Sequence, residues 1–86
     1  RGIAEMRLIR DWPEIVGPEL AGCCLPQKVT FPAGQTLDGT LTIAVEHGPA
    51  ALELQYKSQA IMDRIAAYFG YRAVARVVIV QTLNAK

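Results

Sequence analysis

The segment Thr40-Leu41-Thr42-Ile43-Ala44-Val45-Glu46 constrains the fold most strongly, because apolar and polar residues alternate through it without a break. Side chains two apart in a strand share a face, so Leu41, Ile43 and Val45 point one way and Thr40, Thr42, Ala44 and Glu46 the other. A strand with one apolar and one polar face needs a packing layer on one side only. Lys28-Val29-Thr30-Phe31 alternates in the same way between Pro26 and Pro32, and the run from Ala33 to Gly39 is turn material. Two strands joined by such a loop predict an antiparallel hairpin.

What packs on the hairpin is written on either side of it. Gly48-Pro49 opens a helix, since proline at the first helical position loses no hydrogen bond. No residue from Ala50 to Phe69 breaks that helix, and Leu54, Ile61, Ile65, Tyr68 and Phe69 recur at helical spacing. Gly70 stands where a left-handed stop is wanted. On the N-terminal side, Ile3, Met6, Leu8, Ile9 and Trp12 suggest a helical approach, interrupted at Pro13. Asp11 and Glu14 have capping-box spacing, so a helix is expected to start or restart at Asp11. Its inner face would be Trp12, Val16, Leu20 and Cys24, bent at Gly17-Pro18 and ended by Pro26. Val77-Val78-Ile79-Val80 is β-branched throughout and predicts a third strand.

The order is α-β-β-α-β, without internal repeats. Half of the chain is apolar (51%) and a fifth charged (20%), which suits one folded core and excludes disorder as the default. The expected fold class is α+β: a two-layer sandwich with the helices packed on one face of a three-stranded sheet. With Val77 and Ile79 turned to the helices, Arg76, Val78 and Val80 lie on the outer face, a candidate contact surface for a partner or a second copy.

Several function classes find no support. The longest uncharged runs are Val29–Leu37 and Val77–Ala85, both too short to span a bilayer, and no signal-peptide pattern is present. The chain begins at Arg1 without an initiator Met, and the expectation is a soluble cytoplasmic module cut from a longer protein. Cys23 and Cys24 are adjacent, closer than the usual disulfide range, and are expected as buried thiols on the inner side of a helix. With one His and no CxxC or HxxxH, neither a metal site nor a cofactor is expected. His47, at a strand end beside Gly48-Pro49, fits a turn or capping role better than general-base chemistry. Glu14 and Glu19 are five apart, on different helix faces, and make no carboxylate pair.

Charge is where a partner shows. The net charge is only +1, but residues 1–56 carry four basic and seven acidic side chains, while residues 57–86 carry five basic and one acidic. An anionic partner should therefore meet the C-terminal third. Lys57 and Arg64, seven apart, share a helix face about 10 Å apart. Arg72 and Arg76 could extend the strip, and Lys28 could join it from the first strand. Spaced cations suit phosphate contacts, which supply affinity without sequence information; a merely solvated face is the competing reading. Of Tyr56, Tyr68 and Tyr71, the last, between Gly70 and Arg72, is the better exposed candidate for an aromatic contact. Trp12, the single indole, belongs by spacing to the core, along with Val16, Leu20, Leu54, Ile61 and Ile65.

The residues Trp12-Pro13-Glu14-Ile15-Val16-Gly17, Leu20-Ala21, Pro26, the hairpin ending at Val45, Ala51-x-Glu53-Leu54 and the tract Ile65–Val80 resemble the DciA family of bacterial helicase-loading factors. The resemblance runs from about Ile9 to Val80, and Gly48–Leu54 and Tyr68–Val74 look like its alphaproteobacterial branch. It implies one KH-like domain over residues 1–86, with a core at about 9–82. It also implies binding to a DnaB-type replicative helicase and to DNA, nucleoid association, and no catalysis. Two departures matter: many members place Trp where this chain has Ala50, and members carry a flexible C-terminal tail that contributes to helicase binding. No glycine pair is spaced as GxxG, so the backbone clamp of KH domains is missing, and nucleic acid would have to meet another surface. The other readings are a KH-like RNA-binding module and a structural domain that self-associates through its sheet.

Overall fold

The computed structural model describes residues 2–46 and 48–82; His47, and with it the turn or capping role, lies outside the described residues. Seven elements follow in order: α1 (Ile3–Arg10), α2 (Trp12–Val16), α3 (Pro18–Ala21), β1 (Cys24–Thr30), β2 (Gly39–Val45), α4 (Gly48–Phe69) and β3 (Val74–Gln81). The fold is α+β, with the helices packed against a mixed three-stranded sheet of order β1-β2-β3. β1 and β2 pair antiparallel, as the hairpin reading requires, and the crossover through α4 lays β3 parallel to β2.

β2 is the middle strand and the floor of the core. Leu41, Ile43 and Val45 are fully buried, while Thr40, Thr42 and Ala44 between them are half-buried on the other face. Leu54, Ile61 and Ile65 of α4 cover this floor, and Leu8 of α1 with Trp12, Ile15 and Val16 of α2 close the core beside them. Each such side chain contributes about 1.5–3 kcal/mol by leaving water, so this cluster holds the two layers together. Val77 and Ile79 pack against it from β3. Gly70 takes φ +85° directly after α4, the left-handed stop expected from its position.

The N-terminal half departs from expectation. The helix foreseen from Asp11 to Pro26 is two short pieces, α2 and α3, parted at Gly17, whose φ of +93° no helix accommodates. It stops at Ala21, and Cys24 and Pro26 belong to β1. Trp12, Val16, Leu20 and Cys24 do all turn toward the core, although Leu20 is only half-buried, but Cys24 arrives there from a strand. Pro26 is tolerated because β1 is an edge strand, and a register shift follows between Pro26 and Lys28. Only one thiol is buried: Cys24 is, whereas Cys23 is exposed in the turn before β1.

Asp11 does not cap α2 with its side chain. Its carboxylate accepts from Arg10 Nε at 2.9 Å and Nη2 at 3.0 Å, and from the Tyr68 hydroxyl of α4. Capping lost to these contacts with Arg10 and Tyr68. The guanidinium hydrogen bonds, with Tyr68 adding to them, hold the Asp11 carboxyl down at about 2.

Candidate nucleic-acid interface

Cross-strand register decides which side chains share the outer face of the sheet. Lys28 lies opposite Thr42, which lies opposite Val78; Thr30 lies opposite Thr40, which lies opposite Arg76; Leu25 lies opposite Ala44, which lies opposite Val80. The irregularity at Gln27 is what brings Leu25 and Lys28, three apart, to one face. Lys28 and Arg76 therefore flank the threonines of β2 from either side, two strands apart and offset by two residues, about 12 Å on the diagonal. Both are exposed, and neither has an ion-pair partner among the described residues.

The other three expected cations lie elsewhere. Lys57 and Arg64 of α4 border one groove of about 460 Å³, formed with Val16, Pro18 and Leu20, so they share a side as their spacing required. Lys57 Nζ is paired with Glu53 at 3.0 Å. Arg64 Nη1 donates to the carbonyl oxygen of Val16 at 3.1 Å, tying α4 to the last residue of α2. Arg72 Nε meets Asp38 at 2.7 Å, fastening the turn before β3 to the loop before β2. The single strip is thus divided: Lys28 and Arg76 stand on the sheet, Lys57 and Arg64 on the helical layer, and Arg72 at the end between them.

Tyr71 is not the better exposed tyrosine: it is 39% exposed against 82% for Tyr56, because it leans on Phe69, their ring centroids 5.7 Å apart. It borders an apolar groove of about 400 Å³ with Ile3, Arg7, Phe31 and Phe69. Sequence reasoning missed Arg7, whose guanidinium lies 5.2 Å from the ring centres of both Tyr68 and Phe69. Its spacing from those rings spans most of the chain, and no local signal reports it.

Among the described residues no three His, Cys, Asp or Glu side chains gather as metal ligands, and no helix is long and apolar enough to cross a membrane. Burial, followed by the neighbouring Cys23, pushes the Cys24 thiol up to about 11, so it stays protonated and unreactive at neutral pH.

This is, among the described residues, a two-layer α+β protein with two cations, Lys28 and Arg76, that have no ion-pair partner on the outer face of its sheet, and with more cations around the helical layer. The comparison with known families gives that class its place: residues 1–79 match the family model described as "Dna[CI] antecedent, DciA". The chain belongs to the DciA family, a family of DnaB helicase loaders. No curated protein matches the chain.

Proposed function

We propose that this chain is a non-enzymatic accessory of DNA replication that contacts a DnaB-type helicase and DNA, in the nucleoid, and assists placement of the helicase ring. Family membership over residues 1–79 is the observation that carries this reading. DNA meets the sheet first: Lys28 and Arg76 have no ion-pair partner among the described residues to give up, and Thr30, Thr40 and Thr42 beside them offer hydroxyls to phosphate oxygens. Lys57 and Arg72 join by exchanging exposed ion pairs, which are worth about 1 kcal/mol or less. Arg64 keeps further N–H donors besides the one given to Val16. Tyr71 supplies an aromatic contact.

Fluorescence anisotropy with short DNA at several salt concentrations tests the DNA part. Each lost phosphate contact lowers the slope of log K against log[salt] by about 0.9 on duplex and about 0.7 on single strands. Lys28→Ala/Arg76→Ala should therefore flatten it by about 1.4–1.8. An unchanged slope removes the sheet face, and tighter binding to RNA of the same sequence favours an RNA-binding module instead. Co-purification of the helicase with the intact protein tests the rest, and its absence removes the helicase.

A further inference from the structure

The two edges of the sheet are guarded unequally. Strand edges offer unpaired N–H and C=O groups to any passing strand, and proteins blunt them with proline, lysine, irregular register or a covering helix. The β1 edge has all four: Pro26, Lys28, the irregularity between them, and α1, whose Glu5 carboxylate accepts the Val29 amide at 2.7 Å. Among the described residues the β3 edge has none from Arg76 to Gln81. That stretch carries one charge, no proline and a regular ladder; the only irregularity lies before it, at Ala75.

Which groups face outward follows from the ladder. The Thr82 amide donates to the Val45 carbonyl at 2.9 Å, so Thr82, and by alternation Val80, Val78 and Arg76, turn their backbone groups to β2. Val77, Ile79 and Gln81 turn theirs away from the sheet, and no described residue bonds to them.

We propose that this edge pairs with the same edge of a second copy of the chain, antiparallel about a two-fold axis at Ile79. That register engages all three outward-facing residues: Ile79 pairs with itself, and Val77 pairs with Gln81 of the second copy, for about six ladder hydrogen bonds. It also suits the side chains. On the outer face Val78 meets Val80 of the second copy in the closely spaced kind of pair, and Arg76 meets Thr82, so no like charges oppose. Val78, 38% exposed in one copy, gains an apolar neighbour. Self-complementarity of this kind is what an isologous interface requires. Two sheets joined this way form one continuous outer face carrying the Lys28 and Arg76 of both copies.

Sedimentation velocity on the intact protein over a concentration series tests the proposal. The wild type should shift from monomer to dimer. Val78→Lys and Val80→Glu, each placing a charge against valine, should weaken the dimer about tenfold, because each disturbs two symmetric cross-strand pairs. Val78→Lys/Val80→Glu should restore it, since the introduced ammonium of each copy then faces the introduced carboxylate of the other. Val78→Thr should stay close to wild type and separates pairing from folding. A wild type that remains monomeric at every concentration, a Val78→Lys variant that dimerises like wild type, or a double variant no better than either single one overturns the proposal.

Discussion

The Trp12 indole Nε1 donates to the backbone carbonyl oxygen of Cys24 at 3.1 Å, inside the core. This bond ties the start of α2 to the first residue of β1, across the short α3 and its turn. Trp12 is 2% exposed, so both the ring and its donor are withdrawn from water, and the carbonyl has no access to a replacement. Trp12 therefore both fills the core and fixes how the helical arm meets the sheet.

Trp12→Phe should retain most of the packing and leave the Cys24 carbonyl without its donor. A buried polar group left unsatisfied costs about 1–3 kcal/mol, and urea unfolding of the variant should show a loss of that size. The wild-type fluorescence gives a second reading: emission should be blue-shifted in the folded protein and move to the red on unfolding. A folded-state maximum typical of water-exposed indole contradicts the placement.

Arg64 joins two elements that are far apart in sequence, and its role is partly mechanical. Arg64→Ala removes the donor to the Val16 carbonyl at the end of α2, where the chain must turn through Gly17. The expected loss is about 1 kcal/mol, read as a lowered urea midpoint. Lys57→Ala, which breaks only an exposed ion pair, should move the midpoint little. Equal midpoints for Arg64→Ala and wild type remove the tie between α4 and α2.

These two residues mark where sequence was informative. β2, α4 and its stop at Gly70 were legible because each is announced by a local period or a local breaker, and Trp12 read as core for the same reason. β1 starts at Cys24, four residues before the alternation at Lys28, and ends at Thr30, before Phe31. Cys24 falls on the same four-residue spacing as Trp12, Val16 and Leu20, and a proline at 26 resembles a helix terminator until β1 is known to be an edge strand. Asp11 looked like a cap because Arg10 is adjacent and gives no sign of holding the carboxylate, while the other competitor, Tyr68, lies 57 residues away. The cations were found, but not their grouping: which face Lys28 and Arg76 share depends on cross-strand register and on an irregularity at Gln27 that no period reveals.

Gly39 begins β2 where the aromatic ring of Phe31 folds over the strand. A Cβ at this position would stand 2.8 Å from Phe31 Cε1 and 2.9 Å from Val29 Cγ1, closer than real contacts allow. Gly39→Ala must therefore displace the ring or the strand, and overpacking of this kind costs about 1–3 kcal/mol. Thermal unfolding should show a lowered midpoint. Gly34→Ala makes a useful contrast: no neighbour lies within 4 Å, so any loss there comes from its φ of +72° alone. A Gly39→Ala variant as stable as wild type would mean that Phe31 does not sit over the strand.

Asp11 gives the fold an acid limit. Its carboxyl is held at about 2, chiefly by the Arg10 hydrogen bonds and then by Tyr68, against an ordinary value of 3.8. A lowered folded-state pKa favours folding wherever the group is ionised in both states, so the contribution is complete above about pH 5 and is lost as the pH falls through 3.8 toward 2. Asp11→Asn keeps the shape of the side chain and removes the charge. The stability difference between wild type and Asp11→Asn, from urea unfolding, should hold steady between pH 7 and pH 5 and then shrink toward pH 2. Because the pair with Arg10 is largely at the surface, added salt should narrow the same difference at neutral pH. A difference independent of both pH and salt would show that the tie between Asp11 and Tyr68 is made by shape alone, without the carboxylate charge.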